Sequence, residues 1–351
     1  MRDENVVRWL LEEENPSIRY FTLKDILGRG EENPAVREVR ALIKSSKIVE
    51  KIFSKQKGEG YWEDPYNPYH PKYKSSYWQI MTLGQLGMNR SDERLRKACE
   101  FIFQFQHEEG GFTSYTKELA LEEYKYLKKK RKKLPPEYEW IKSKVFEHQY
   151  SCLTGNIVAA LLRIGYTDDE RVNRALEWLT SIQNEDGGWL CPYWKAHVKD
   201  THGCFYGTIC PLEALSEIPK DMLTDELKKS IKRGAEFLLM HRLYKADHHN
   251  YKIINKSWLN LSFPWFYGYN ILRGLDVLTK LDFIKDERLD DAVEILINKR
   301  TNQGKWVLES TPTGRMHANI EKRGKESKWM TLIAMRVLDH LHKYNFGRKN
   351  E

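Results

Sequence analysis

The sequence predicts an all-α protein built from about five to six helix pairs. One unit recurs along the chain, and each copy joins an amphipathic helix to a more apolar one, which is how helical repeat proteins are built. The 351 residues are 40% hydrophobic and 12% aromatic, enough for a large buried core. Charged residues make up another 31%, which predicts long solvated helix faces.

Each unit opens with an acidic helix cap. The four caps read Ser91-Asp92-Glu93, Asp168-Asp169-Glu170, Thr224-Asp225-Glu226 and Asp286-Glu287-Arg288. The side-chain oxygen of such a residue accepts hydrogen bonds from backbone N–H groups that the first helical turn leaves without partners. The following acidic residues also suit the positive end of the helix dipole. An amphipathic first helix is therefore predicted after each cap.

A glycine-aromatic turn follows each first helix. The four copies are Gln56–Trp62, Gln106–Phe112, Gln183–Trp189 and Asn302–Trp306. Glycine can end a helix because it adopts positive φ without strain. We expect the aromatic ring to cover the turn, and the glutamine to hydrogen-bond backbone groups at the end of a neighbouring helix.

The second helix of each unit is apolar around most of its circumference, which predicts that neighbours cover it on both sides. These helices are predicted over Tyr77–Leu86, Tyr150–Ile164, Cys204–Ile218, Phe263–Leu278 and Trp329–Leu341. At the N-terminus, Asn15 is predicted to cap a helix over Ile18–Leu27. We therefore expect an N-terminal half-repeat over residues 1–34 and a repeat domain over 35–345. A basic helical insert at 117–144, ended by Pro135-Pro136, interrupts that domain.

The turns carry a family resemblance. Gln183–Trp189 resembles in full the QW motif of squalene–hopene cyclases, oxidosqualene cyclases and the β-subunits of protein prenyltransferases, and Gln106–Phe112 matches with Phe in place of Trp. The other two copies are degenerate, and the similarity extends over residues 35–340. The resemblance implies an α/α toroid, in which the turns and the N-termini of the inner helices face a central cavity.

The resemblance also implies a prenyltransferase-like or squalene cyclase-like enzyme that acts on an isoprenoid or another large apolar substrate in that cavity. However, the sequence contains no Asp-x-Asp-Asp motif, which supplies the acid in class II terpene cyclases. A non-catalytic toroid that binds a lipid or protein partner is the main alternative. Polysaccharide lyase-like and lanthionine cyclase-like toroids are further alternatives on the same fold class.

Cysteine and histidine side chains form the candidate polar site. The chain has five cysteines, an odd number that argues against a disulfide framework. Two of them share a local frame, Cys152-x-x-Gly155 and Cys204-x-x-Gly207, which predicts matching positions on adjacent inner helices about 10 Å apart. Cys99 and Cys210 are interpreted as packing residues, and buried packing is the alternative for all five.

Cys, His and carboxylate groups are the ligands of zinc, and the resemblance to zinc-dependent prenyltransferases implies a zinc cofactor. The candidate metal ligands are His148, Cys152, Cys191, His202 and Cys204. The candidate catalytic residues are Cys152, Cys204, His202, Asp200 and Tyr206.

Aromatic residues are the candidates for substrate binding, since their faces suit an isoprenoid chain and can stabilise positive charge. They are Tyr77, Trp78, Tyr150, Trp194, Phe205, Trp258, Phe263, Trp265, Tyr267 and Trp329. Ordinary core packing is the alternative for each of them. The run 258–269 is the densest, with six aromatic residues in twelve.

Net charge and targeting signals complete the predictions. The formal charge is +8, and much of it lies in residues 125–144. We expect this segment to be a solvated face, or a contact for an anionic head group or a peripheral membrane surface. Nucleic acid is not an expected partner, because aromatic side chains are not interleaved with the basic ones. With no signal peptide and no spanning segment in the sequence, a cytoplasmic location is predicted.

Overall fold

The computed structural model describes residues 4–193, 199–312 and 314–348. In these ranges the regular structure consists of fifteen α-helices, one π-helical turn, four 3₁₀ turns and four strands of two residues each. The predicted all-α class is confirmed.

The helices fall close to the predicted positions. Their bounds are α1 (Glu4–Leu10), α2 (Pro16–Phe21), α3 (Pro34–Ile43), α4 (Lys47–Phe53), α5 (Ser76–Gln85), α6 (Glu93–Phe103), α7 (Lys117–Lys129), α8 (Glu137–Glu147), α9 (Ser151–Ile164), α10 (Glu170–Ser181), α11 (Phe205–Ser216), α12 (Asp225–Met240), α13 (Ile271–Lys280), α14 (Asp290–Asn298) and α15 (Lys328–Arg348). The π-helical turn, Thr22–Ile26, continues α2. The 3₁₀ turns are Lys220–Met222, Asp247–His249, Lys256–Leu259 and Glu287–Leu289.

The strands form two short antiparallel ribbons. Strand β1 (Lys245–Ala246) pairs with β2 (Lys252–Ile253), with Lys245 opposite Ile253. Strand β3 (Trp306–Val307) pairs with β4 (Glu326–Ser327), with Trp306 opposite Ser327. The second ribbon joins a glycine-aromatic turn to the residues that precede α15.

The chain divides into two compact units. Unit 1 comprises Met1–Lys51, Gln85–Met88 and Ala235–Glu351. Unit 2 comprises Ile52–Gly84 and Asn89–Gly234. In unit 2 the most extensive helix contact joins α9 and α11, and Gly155 permits it, since a Cβ atom there would lie 2.5 Å from the main chain of Cys210. The predicted boundary between residues 34 and 35 falls inside unit 1, and the single repeat domain stays a prediction.

The acidic caps are confirmed. The carboxylates of Asp92, Asp169 and Asp286 each accept the backbone N–H two residues ahead at 2.9–3.0 Å. The pKa values of all three carboxyl groups are lowered. Hydrogen bonds from Arg171 and Arg288 are the main cause for Asp169 and Asp286. For Asp92, burial raises the pKa, but the bonds from Arg94 outweigh it. The caps therefore act as charged groups as well as hydrogen-bond acceptors.

Two of the cap arginines also connect consecutive first helices. The guanidinium group of Arg171 donates to Asp169 on one side and to both carboxylate oxygens of Glu100 in α6 on the other, at 2.6 and 3.0 Å. In unit 1, Arg288 makes the same bidentate contact with Glu236 in α12, at 2.7 and 2.9 Å. Planar two-point pairing of this kind fixes orientation as well as distance.

The glycine-aromatic turns make the contacts expected of them. The Gln183 side-chain amide donates to the carbonyl oxygen of Gly187 at 2.7 Å and to that of Ser230 in α12 at 3.0 Å. The indole N–H of Trp189 donates to the carbonyl oxygen of Leu179 at 2.7 Å, and its ring is fully buried. The turns that begin at Gln56 and Gln106 are closed by their glutamines in the same way, whereas the Asn302–Trp306 turn has no glutamine at the equivalent position.

The predicted helix over Phe263–Leu278 is wrong in its first half. Helix α13 begins only at Ile271, where Asn270 is the N-cap and accepts the N–H of Arg273. Pro264 has no N–H for a helical bond and Gly268 has low helix propensity, so residues 263–269 are free to adopt another path. The side chain of Gln85 takes up the backbone N–H and C=O of Trp265, at 2.8 and 2.6 Å.

The basic insert forms a helical hairpin rather than one excursion that stops at the prolines. Helices α7 and α8 pack on each other, and Pro136 is the N-cap of α8, a position at which the missing N–H costs nothing. The hydroxyl of Tyr124 donates to the carbonyl oxygen of Pro135 at 3.1 Å. Among the described helices, neither these two nor any other is long and apolar enough to cross a bilayer.

Candidate functional site

A hydroxyl group near the start of each inner helix sets the register of the repeat. The backbone N–H of the turn aromatic donates to it in all four copies, at 2.9–3.1 Å. The pairs are Trp62 with Ser76, Phe112 with Thr154, Trp189 with Thr208, and Trp306 with Thr331. These bonds are buried and fix each turn to the inner helix that follows it.

This register corrects the predicted match between Cys152 and Cys204. Since Thr154 and Thr208 play the same part, the residue equivalent to Cys152 is Tyr206. The residue equivalent to Cys204 is Tyr150, and both are N-caps of their helices. The shared Cys-x-x-Gly spacing is a coincidence of sequence, offset by two residues in the structure.

The thiol that Cys152 meets is that of Cys191. Their Sγ atoms lie 3.9 Å apart, and the hydroxyl oxygen of Ser151 is 3.8 Å from the same Cys191 sulfur. Cys191 is 6% exposed and Cys152 is half-buried. Both cysteines belong to unit 2, with Cys152 in the first turn of α9 and Cys191 two residues after Trp189. We call Ser151, Cys152 and Cys191 the thiol cluster.

The thiol cluster favours a thiolate at Cys191. Hydrogen bonding from the Cys152 thiol lowers the pKa of Cys191, and the Ser151 hydroxyl and the backbone N–H groups of both residues act in the same direction against burial. The same Cys152–Cys191 bond raises the pKa of Cys152, and burial adds to it. Because these donors lie at the N-terminus of a 14-residue helix, the helix dipole also supports negative charge there.

Cys204 has a different, local role. Its sulfur accepts the N–H of Gly207 at 3.0 Å, as the N-cap of α11, and its own N–H donates to the carbonyl oxygen of Trp189 at 2.9 Å. Burial raises the pKa of its thiol to about 11. Cys204 therefore has the setting of a capping residue, and its catalytic role stays a prediction.

The predicted histidine ligands lie against main-chain oxygens. The Nδ1 atom of His148 is 2.7 Å from the carbonyl oxygen of Lys144, and its ring stacks on Tyr115 with centroids 4.7 Å apart. The Nδ1 atom of His202 is 2.8 Å from the carbonyl oxygen of Gly203, and His202, Asp200 and Tyr206 are all exposed.

In the part of the chain that the structure describes, no three His, Cys, Asp or Glu side chains are grouped so that they could hold a metal ion. The described residues thus do not by themselves fit the zinc site that the sequence suggests. Zinc stays a prediction, and we assign no chemical step to it.

Four of the predicted substrate-binding aromatics belong to unit 2. Tyr77 and Trp78 are buried, and their polar atoms donate to the carbonyl oxygens of Thr113 and Tyr69, at 2.9 and 2.7 Å. Phe205 is also buried, whereas Tyr150 is half-buried. Because their polar atoms already have hydrogen-bond partners, Tyr77 and Trp78 have the setting of ordinary core residues. Trp194 lies outside the described residues.

The other five belong to unit 1. Phe263 stacks on Trp329 with ring centroids 4.3 Å apart and lies 6.5 Å from the ring of Trp265. Trp258 packs edge-on against Tyr269, and Tyr267 is half-buried. We call Phe263, Trp265 and Trp329 the aromatic cluster.

The indole N–H groups of Trp265 and Trp329 are buried, and within the described residues neither has a hydrogen-bond acceptor. A buried polar group without a partner forfeits its bonds to water and gains nothing in return. The indole N–H groups of Trp140 and Trp178 are in the same position, but Trp265 and Trp329 are the pair that flanks one ring, that of Phe263.

Two charged residues support unit 1. Arg273 is fully buried, and its guanidinium group donates to the carbonyl oxygens of Phe266 and Gly268 at 2.8 and 3.0 Å, which fixes the segment between the cluster and α13. Glu321 accepts the N–H groups of Lys328 and Trp329 at the start of α15.

Burial raises the pKa of Glu321, but its bonds identify it as a helix cap. Glu321 stands in no local motif, so no sequence signal would have found it.

The squalene-hopene cyclase C-terminal domain family matches residues 50–243, more than half of the chain. The chain therefore belongs to this family. The family resemblance that the glycine-aromatic turns carry is confirmed, and so is the predicted fold class.

Individual relatives are distant. Lanosterol synthase erg7A of Aspergillus fumigatus is 21% identical over 244 residues, which are 63% of this chain and 28% of that protein. The chain thus spans little more than a quarter of that curated relative.

Among solved structures, a protein from Actinoplanes shares 14% identity with a TM-score of 0.44, over 97% of this chain and 99% of the other. The type II terpene cyclase MstE from Scytonema shares 15% with a TM-score of 0.43, over 93% and 87%. Both TM-scores are below one half, so the family assignment rests on the family match alone.

Proposed function

We propose that this member of the family is a squalene cyclase-like or prenyltransferase-like enzyme that binds an isoprenoid, or another large apolar molecule, at the aromatic cluster of unit 1. The observation that carries the proposal is the pair of buried indole N–H groups, on Trp265 and Trp329, that have no acceptor among the described residues. Both rings flank Phe263.

Those two donors define the ligand more closely. Leaving a buried donor unpaired costs about 1–3 kcal/mol, so a bound oxygen atom that accepts either bond recovers much of that free energy. The surrounding rings favour an apolar body, and their π-faces attract a cation or an electron-poor carbon. An isoprenoid that carries an alcohol or ether oxygen satisfies both demands.

The reaction itself has no carboxylate motif to explain it. The sequence lacks Asp-x-Asp-Asp, so acid-initiated cyclisation by that motif has no residues here. This absence favours a second candidate function, a non-catalytic protein that binds the same class of ligand. The two candidates share the binding step and differ only in whether a product appears.

Binding is tested with three ligands of graded chemistry. Geranylgeraniol is an isoprenoid alcohol, squalene is an isoprenoid without oxygen, and 1-eicosanol is a linear saturated alcohol with as many carbon atoms as the first. We expect quenching of tryptophan fluorescence to saturate with the two isoprenoids and to be weaker with eicosanol. Binding of none of them, or equal binding of all three, would contradict the proposal.

Substitution of Trp265 or Trp329 by Phe removes the N–H and keeps an aromatic ring. Loss of one hydrogen bond worth about 1 kcal/mol predicts roughly fivefold weaker binding of geranylgeraniol. Squalene, which has no oxygen, should be affected less. Trp140→Phe, a change in the basic hairpin, is the matched control. An equal loss for both ligands would mean that ring area, not the donor, matters.

Product analysis separates the two candidate functions. The protein is incubated with squalene, geranylgeraniol and geranylgeranyl diphosphate, and extracts are compared by gas chromatography and mass spectrometry with those of heat-denatured protein. A product that depends on the folded protein supports the enzyme. Saturable binding without any product supports the binding protein.

A further inference from the structure

The thiol cluster of unit 2 is a tertiary feature with its own chemistry. Cys152 and Cys191 are 39 residues apart in sequence, and their sulfur atoms are 3.9 Å apart. Cys191 follows a turn that is held in place by the bond from the Trp189 N–H to Thr208. Cys152 is held by the first turn of α9. Two thiols are thus fixed next to each other by separate elements of one unit.

The two sulfur atoms are close enough to bond. A disulfide has an S–S length of about 2.0 Å, so the pair must approach by roughly 2 Å, a distance that rotation about the side-chain bonds can supply. Their environments also differ: the Cys191 sulfur lies 3.8 Å from the Ser151 hydroxyl oxygen and 3.9 Å from the Cys152 sulfur, both at the start of α9. We take Cys191, which faces this helix N-terminus, as the thiol that attacks and Cys152 as the one that resolves.

We propose that Cys152 and Cys191 are a redox-active pair, which hydrogen peroxide or another small peroxide oxidises to an intramolecular disulfide. The Cys191 thiolate attacks one peroxide oxygen, the O–O bond breaks, and the departing hydroxide takes a proton to become water. Cys191 is then a sulfenic acid. The Cys152 sulfur attacks the Cys191 sulfur, the S–O bond breaks, and the Cys152 proton leaves with that oxygen as a second water. Two thiols lose two electrons, and the peroxide gains them.

The other cysteines are placed so that they should not compete. Cys99 and Cys210 are fully buried on other helices. Burial raises the pKa of the Cys204 thiol to about 11, and the N–H of Gly207 offsets only part of that rise. Oxidation follows thiolate character and access, and these three thiols lack one or both. The modification is therefore expected at one pair of the five cysteines.

The decisive measurement needs no substitution. Native protein is treated with a small excess of hydrogen peroxide, free thiols are blocked with iodoacetamide under denaturing conditions, and the digest is analysed by mass spectrometry without reduction. We expect a loss of about 2 Da in the intact protein, a fall from five to three titratable thiols, and one linked peptide pair that contains residues 152 and 191. Dithiothreitol should restore all five thiols.

Two variants test the order of the steps. In Cys152→Ser the disulfide cannot form, and a dimedone adduct should accumulate on Cys191. In Cys191→Ser both the adduct and the disulfide should be absent. Cys204→Ser is the matched control and should still form the pair. A link between Cys204 and either partner, or five thiols that remain titratable in native peroxide-treated protein, would overturn the proposal. None of these results depends on whether an isoprenoid binds in unit 1.

Discussion

Replacement of Thr208 by Val tests the bond that fixes a turn to its inner helix. Valine has nearly the shape of threonine but no hydroxyl, so the N–H of Trp189 loses its acceptor at 3.0 Å. Both residues are fully buried, with exposed fractions of 0%, so water cannot replace the lost partner. An orphaned buried donor costs about 1–3 kcal/mol, and the added apolar methyl offsets roughly 1 kcal/mol of that. The net loss should be about 1–2 kcal/mol.

Chemical denaturation followed by far-ultraviolet circular dichroism measures the free energy of unfolding, with the slope expected to stay constant. Hydrogen exchange of the Trp189 amide reports on the bond itself, and its protection should fall. Thr154→Val removes the equivalent bond in unit 2 and should cost a similar amount.

Thr180→Val is the matched control for Thr208→Val. The hydroxyl of this half-buried residue on α10 bonds only to carbonyl oxygens of its own helix, so the change should stay within about 0.5 kcal/mol. If Thr208→Val were as mild as this control while amide protection at Trp189 was retained, the turn would not depend on the bond.

Three further predictions concern the repeat and its insert. Gly187→Ala should cost more than about 3 kcal/mol by chemical denaturation, because its φ is +88° and the new Cβ would lie 2.3 Å from the carbonyl oxygen of Arg233; a loss below 1 kcal/mol would contradict this. Asp169→Asn keeps the capping hydrogen bond but removes its charge, and should lower the free energy of unfolding by about 0.5–1 kcal/mol near neutral pH.

Because Arg171 lowers the pKa of Asp169, the wild type should have a higher free energy of unfolding than Asp169→Asn above about pH 4. This difference should vanish as the pH falls through the pKa of Asp169 in the folded protein. If the difference were unchanged at pH 2.5, the ion pair would be excluded as its cause. Glutamine at all basic positions of 128–133 should abolish any sedimentation with phosphatidylserine vesicles at low salt, and no sedimentation of the wild type would refute a membrane role for the hairpin.

Much of the fold could be predicted from the sequence because its signals are local. An aspartate before a helix accepts an N–H two residues away, and a glycine that ends a helix adopts positive φ within its own turn. Such contacts follow from the residues themselves, and Asp92, Asp169 and Gln183 make them as expected. The family assignment followed from the same turns.

The segment before α13 is one that local sequence signals do not predict. Its aromatic residues have the composition of an apolar inner helix, yet residues 263–269 are held instead by Gln85 and Arg273. Gln85 lies 180 positions from Trp265 in sequence. No local pattern contains that information, because the competing hydrogen bonds come from distant parts of the chain.

The sequence alone determined the helix pairs, their caps, their turns and the family, since each depends on contacts within a few residues. Only the tertiary structure decided which thiols meet. The matching Cys-x-x-Gly frames predicted Cys152 and Cys204 at equivalent positions about 10 Å apart, but the hydroxyls of Thr154 and Thr208 set a register in which Tyr206 is equivalent to Cys152. The sulfur that lies beside that of Cys152, at 3.9 Å, is the sulfur of Cys191. The distance between two side chains 39 residues apart depends on how helices and turns pack, and packing is a property of the whole unit.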